Sequence, residues 1–173
     1  MITQEQVDNI IKDFKAALKL YLKKDKKQFT KDSSERSKVF RIAYYLQTII
    51  ESNKEIYKDI VVDCEYNRIC TTVNDKIMIN PKTLIKYTGE TTTFSPDLIV
   101  HKRNDSKHNL LICEFKNLVD DDYDKYKIEN ATNNIDYMYR VGFCINLSDI
   151  NFITDINNLT FKYSGDIYED ICN

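Results

Sequence analysis

Two apolar runs decide the reading of this chain. They are Ser95-Pro96-Asp97-Leu98-Ile99-Val100-His101-Lys102 and, after a polar stretch, Leu110-Leu111-Ile112-Cys113-Glu114-Phe115-Lys116. Aliphatic and β-branched residues dominate both, which predicts strands at Asp97–Lys102 and Leu110–Lys116. Arg103–Asn109 reads as a polar hairpin loop. Side chains alternate along a strand, so Glu114 and Lys116 share a face with Leu110 and Ile112. A carboxylate and an ammonium then stand at the end of an apolar stripe. Burying either without a partner is costly, so the pair implies a local purpose. Pairing of the hairpin brings Asp97 near Glu114. Two carboxylates at close range repel unless a cation lies between them, and a hard ion such as Mg²⁺ prefers oxygen ligands. A lysine two residues further on can hold a water or stabilise charge on a phosphate.

The flanking sequence supplies the other elements. Val7, Ile10, Ile11, Phe14, Leu18, Tyr21 and Leu22 recur at helical spacing and predict an amphipathic helix over residues 3–24, with Thr3 and Gln6 as a capping box. Lys24–Asp32 is a polar connector. A second helix is expected from Ser33 or Ser34 to Asn53. Its Val39, Phe40, Ala43, Tyr44, Leu46, Ile49 and Ile50 form a broad apolar face, which predicts the more buried helix of the two. Ile60–Tyr66 is rich in β-branched residues and reads as a strand. Asn74-Asp75 reads as a turn before a short strand at Ile77–Ile79, and Pro81 begins another connection. Asp120–Tyr137 reads as a helix with an acidic start suited to its dipole. Arg140–Leu147 is the next strand, and Leu159–Tyr163 one more. The order α-α-β-β-β-β-α-β places the chain in the α/β class, as an α+β sandwich in a single domain over 1–173.

Composition excludes more than it suggests. The 173 residues are enough for one domain with a proper core. With 42% hydrophobic and 30% charged residues, the balance is that of a soluble globular chain. No apolar run approaches the roughly 18 to 20 residues of a membrane span, and the N-terminal sequence does not read as a signal peptide. A cytoplasmic protein with no membrane partner is expected. Three Gly and no Trp disfavour a Gly-rich phosphate loop or a dinucleotide fold. The five cysteines, Cys64, Cys70, Cys113, Cys144 and Cys172, include no CxxC pair. They read as small hydrophobes in a reducing compartment, with Cys64, Cys113 and Cys144 inside apolar runs. The net charge of −2 hides an asymmetry: +4 over residues 1–60, +1 over 61–117 and −7 over 118–173. The basic N-terminal segment is either a solvated helix end or a phosphate-contacting surface.

The motif Pro96-Asp97, sixteen intervening residues, then Glu114-Phe115-Lys116 resembles the PD-(D/E)xK phosphodiesterase superfamily, the restriction-endonuclease-like nucleases. VDCEYNR and PDLIVHKR…NLLICEFK look like small bacterial members of it. The resemblance covers about residues 33–147. It implies a central mixed β-sheet flanked by helices, with residues 1–32 as an extra N-terminal helix and connector and 148–173 as a C-terminal extension. It further implies a Mg²⁺- or Mn²⁺-dependent nuclease, a hydrolase acting on DNA in preference to RNA through a metal-activated water. Asp97 and Glu114 look like metal ligands, with the Phe115 carbonyl as a further one, and Lys116 like the water- or phosphate-orienting lysine. Many members add a glutamate from the preceding helix. Glu35 is the first choice here and Glu51 the second. The alternative is a catalytically inactive module on the same fold, binding nucleic acid or a protein.

Five more residues are candidates for cleft or phosphate contacts. Glu65 and Arg68 lie just past the first strand, with Asp63 on the face of Glu65, and a rim salt bridge is the equal alternative. His101 and Arg103 share the strand parity of Asp97; His101 reads as a phosphate contact or proton-transfer group, with a hydrogen-bonded structural histidine as the favoured alternative. Lys127 lies on the following helix, where related nucleases often carry a Lys or Gln facing the site, with an exposed helical lysine as the default alternative. A homodimer is a further expectation, with helix 3–24 either its interface or simply packed on the sheet.

Overall fold

A computed structural model describes residues 2–25, 33–73, 76–86, 88–116, 122–133, 137–147 and 162–163. Its elements are α1 (Gln4–Lys24), α2 (Glu35–Ser52), β1 (Val61–Cys64), β2 (Arg68–Val73), β3 (Lys76–Pro81), β4 (Thr83–Ile85), β5 (Thr91–Thr93), β6 (Leu98–Lys102), β7 (Asp105–Lys116), α3 (Asp122–Asn133), β8 (Val141–Asn146) and β9 (Lys162–Tyr163). The chain is therefore a mixed α and β fold, as the periodicity predicts. The main sheet has the order β1-β6-β7-β8-β9. β6 and β7 are antiparallel, whereas β7 and β8 are parallel and joined through α3, the connection that parallel neighbours require. β2–β3 and β4–β5 form two further hairpins. The expected turn at Asn74-Asp75 lies outside the described residues, as do residues 120–121 and 134–136 of the helix expected over Asp120–Tyr137, residues 159–161 of the last predicted strand, and Cys172.

Alternation along β7 sorts its side chains into two layers. Leu111, Cys113 and Phe115 enter the core shared with α1 and α2, while Ile112 joins Ile99, Ile128, Ala131 and Tyr139 on the α3 side. The parity breaks at Leu110, which sits in the helix-pair core beside Leu111 and not with Ile112. A register shift between Val100 and His101 leaves Leu110 as the extra residue of a bulge. The hairpin is also tighter than its polar composition suggests. β7 already begins at Asp105, which pairs with Lys102, so the turn is Arg103-Asn104, with Asn104 at φ 61°. Asn tolerates that left-handed conformation better than most residues.

The N-terminal helix is part of the core. Its Thr3–Gln6 capping box is present. Phe14 is fully buried and stacks on Phe143, with ring centroids 4.8 Å apart. The apolar stripe expected to pack on the sheet or form an interface is thus used inside the molecule. In α2, capped by Ser34, the core face is Val39, Ile42, Ala43, Leu46 and Ile50. α2 buries seven of its 18 residues against six of 21 in α1, so it is the more buried helix, as its broad apolar face predicts. Phe40 and Tyr44 are nevertheless exposed, because its apolar residues span more of the circumference than the sheet covers. The cysteines also differ from expectation. Cys113 is buried, Cys70 and Cys144 are half-buried, and Cys64 is exposed at the end of β1.

α3 lies close against β8 at Gly142, where an added Cβ would come 2.3 Å from Ile128 Cγ2. Gly142→Ala is therefore expected to overpack this contact and lower stability by about 1–3 kcal/mol. Urea denaturation monitored by circular dichroism checks it.

Candidate functional site

The β6–β7 ladder pairs Leu98 with Cys113, so the preceding Asp97 stands opposite Glu114. Asp97 is fixed by its neighbours: the Phe115 N–H donates to its Oδ2 at 2.7 Å, and its own carbonyl accepts from the Glu65 N–H. Glu114 is 3% exposed. Lys127 of α3 reaches it, with Nζ 3.1 Å from Oε2, while Oε1 is buried without a hydrogen-bond partner among the described residues. Lys127 also donates to Asp124 Oδ1 at 2.6 Å, and Lys116 Nζ lies 2.9 Å from Asp124 Oδ2. One network thus links Glu114, Lys127, Asp124 and Lys116, with Asp97 beside it.

The electrostatics follow from burial and crowding of like charge. Loss of solvent, then the Asp97 charge, push Glu114 up to about 8, against the pull of Lys127. Asp97 is also raised, first by burial and then by Glu35, although the Phe115 N–H opposes this. Burial would lower Lys127, but Glu114 and Asp124 more than reverse that and hold it well above its ordinary value. Lys116 is raised by its bond to Asp124 and further by Glu35.

The chain fold therefore brings together Asp97, Glu114, Lys116, Lys127 and, through its field, Glu35. Glu51 is at the far end of α2, bonded to Gln47, about 24 Å along the helix from Glu35. Asp124 was not singled out by the sequence. Its only signal is the three-residue spacing to Lys127, which places both on one helix face. The expected ligand trio Asp97, Glu114 and Glu35 does not close: among the described residues, no group of three or more His, Cys, Asp or Glu side chains is arranged to hold a metal ion. Glu35 lies at the first turn of α2, near enough to act by charge but outside the ladder that sets Asp97 against Glu114.

Glu65 borders the site, lining one cavity with Asp97, whereas His101, Arg103 and Arg68 lie elsewhere. His101 Nε2 is 2.9 Å from Asp63 Oδ2, and Arg103 Nε donates to the same oxygen at 2.8 Å. Burial alone would raise Asp63, but Arg103 and then His101 hold it well below the usual carboxylate range. This is a satisfied structural cluster, about 13 Å along β6 from Asp97. Glu65, at φ 51°, leaves the alternation of β1, so it does not share the face of Asp63. It pairs with Arg36 at 2.5 Å. Arg68 lines a shallow crevice with Tyr66 and His101. Beside Asp97, a cavity of about 580 Å³ is bounded by α2 and the end of β1.

No protein-family model, no curated protein and no solved structure matches this chain. No helix among the described residues is long and apolar enough to cross a membrane.

The raised value of Glu114 has a thermodynamic consequence. In the unfolded chain the carboxyl ionises near 4.5, but in the fold near 8. Between those values the folded state binds more protons, so stability falls as pH rises through this window. In EDTA, the melting temperature is expected to fall between about pH 4.5 and 8. Glu114→Gln, which has no such proton to lose, flattens that slope in calorimetry across the same range.

Proposed function

We propose that this chain is a metal-dependent nuclease with a restriction-endonuclease-like core, hydrolysing nucleic-acid phosphodiester bonds, DNA before RNA. The observation that carries the reading is the Asp97–Glu114 pair, set side by side at the end of the central strand with one buried Glu114 oxygen unpartnered among the described residues. The order of α2, the antiparallel strands β1, β6 and β7 (with two hairpins inserted after β1), α3 and β8 also supports it.

The donor set suits a hard divalent ion. Glu35, Asp97, Glu114 and Asp124 oppose Lys116 and Lys127, so the ionised cluster carries two excess negative charges. Asp97 and Glu114, with the Phe115 carbonyl, would hold Mg²⁺ or Mn²⁺. Mg²⁺ commonly uses only one or two carboxylates and completes its shell with waters and substrate phosphate. A bound ion supplies Lewis acidity toward a phosphoryl oxygen and makes a coordinated water easier to deprotonate. The protein's own groups do the positioning. Lys127 favours the ionised form of Glu114, and Asp124 holds Lys127 and Lys116 in fixed orientation. Lys116, about one-third exposed, presents its ammonium to solvent at the strand end. There it can orient the attacking water or offset charge developing on phosphate.

Purified protein is expected to cleave DNA in Mg²⁺ or Mn²⁺ and not in EDTA. Lys116→Ala should lower the rate by about 10²–10³-fold, and Asp97→Ala should abolish cleavage, with circular dichroism unchanged. Mn²⁺ should raise the melting temperature of the wild type and not of Glu114→Ala. Mn²⁺ binding without cleavage of any nucleic acid would shift the assignment to an inactive binding module on the same fold. Neither binding nor cleavage would remove the metal site altogether.

A further inference from the structure

Arg36, Phe40 and Tyr44 recur every four residues along α2 and form one row on its surface. Phe40 is 64% exposed and Tyr44 54%. Two large aromatic rings left in water on one helix face mark an interaction surface. The row is continuous with the 580 Å³ cavity, whose lining includes Arg36, Phe40, Arg41, Cys64, Glu65 and Asp97. Asp97 therefore borders both the carboxylate cluster and this cavity. The guanidinium of Arg41 lies over the Tyr44 and Tyr45 rings, 5.3 and 5.2 Å from their centroids, and Asp25 holds it there through Nε at 3.1 Å. Flat rings and flat cations thus alternate along a helix that leads to the site.

We propose that this row is a stacking platform for unpaired nucleotides, so that the ligand is single-stranded nucleic acid, or the single-stranded part of a longer one. Every base offers a π-face to an aromatic ring or a guanidinium, whatever its identity. Inside a duplex those faces are already stacked on neighbouring bases and cannot reach Phe40. Charge favours the same occupant. Residues 1–60, which include α2, carry a net charge of +4, which suits a polyanion. A second copy of the chain seated here would carry the Asp97 carboxylate and the Arg36–Glu65 ion pair into a dry interface, where desolvating charge is costly. The placement of a scissile phosphate near Asp97 rests on the nuclease reading, whereas the stacking itself does not.

The chain contains no Trp and twelve Tyr, so Phe40→Trp introduces a sole tryptophan that can be excited selectively at the red edge of its absorption. Titrating oligo(dT) into this variant in EDTA at low salt should quench its emission saturably. A blunt duplex of equal length should not, and neither strand should quench Ile85→Trp, an exposed position on β4. By fluorescence anisotropy, Phe40→Ala should bind oligo(dT) about tenfold or more weakly than wild type. Equal binding by wild type and Phe40→Ala overturns the proposal, as does equal quenching by duplex. Emission that changes with protein concentration and not with oligo(dT) also overturns it and identifies a second copy as the occupant. Metal-dependent cleavage that persists while stacking fails removes this proposal alone. Specific quenching in a protein that cleaves nothing supports the platform and removes the nuclease reading.

Discussion

The burial of one carboxylate organises this molecule. Glu114 ends the apolar stripe of the central strand at 3% exposure, and a lone charge there would be strongly destabilising. Its tolerance depends on α3. Lys127 must reach Oε2, which fixes both the rotation of α3 and its distance from the sheet. The same helix register carries Ile128 and Ala131 into the second core, against the gap left by Gly142. Ionic and apolar contacts on α3 are therefore one constraint. Sliding the helix by a turn would break the ion pair and open the core together. Asp124 strengthens the coupling, because it binds Lys127 and Lys116 at once and so ties the helix to the last residue of β7.

Much of this was legible in the sequence, for reasons that differ by element. The helices α1 and α2 and the strands β6, β7 and β8 follow from hydrophobic period, which is local information. The juxtaposition of Asp97 and Glu114 follows from hairpin pairing near the strand ends, where the register Leu98–Cys113 is regular. Parity arguments fail further along the same hairpin. The bulge at Leu110 changes its layer, and nothing in the residue types around it announces an unpaired position. Strand parity with Asp97 leaves His101 and Arg103 as cleft candidates, with a structural role the favoured alternative for His101. In the fold they are consumed by Asp63 on the neighbouring strand, a cross-strand partner that composition does not specify. Asp124 was missed for the converse reason. An acidic residue in the first turn of a helix is already accounted for by the dipole, so its role as the link between two lysines emerges only in three dimensions.

Phe40 and Tyr44 illustrate a limit of reading amphipathicity from spacing alone. Their positions extend the apolar arc of α2 beyond the width that one sheet and one helix can cover. The broad apolar face does make α2 the more buried helix, yet its core face is only the arc centred on Val39, Ile42 and Leu46. The surplus arc points to solvent beside the cavity at Asp97. Helix breadth in a sequence thus has two physical outcomes, enclosure or an exposed recognition surface. Only the number of packing layers decides between them.

The two polar clusters on this sheet differ in how far they are satisfied. Around Asp63, one carboxylate meets a guanidinium and an imidazole, and its ionised form is strongly favoured. Such a cluster needs nothing further and serves to pin β1 to β6. Around Glu114, carboxylates outnumber ammoniums, Glu114 Oε1 is buried without a partner among the described residues, and both Asp97 and Glu114 resist ionisation. Buried polar groups in native proteins are overwhelmingly paired, so an incomplete network at a strand end calls for a specific cause. Poor packing is an inadequate one, because the strand residues on either side, Cys113 and Phe115, are fully buried in a continuous core. The remaining deficit is of positive charge at an oxygen-lined position that opens on a cavity. That deficit is the physical basis for placing the proposed ion at Asp97 and Glu114 rather than at the equally polar Asp63 cluster.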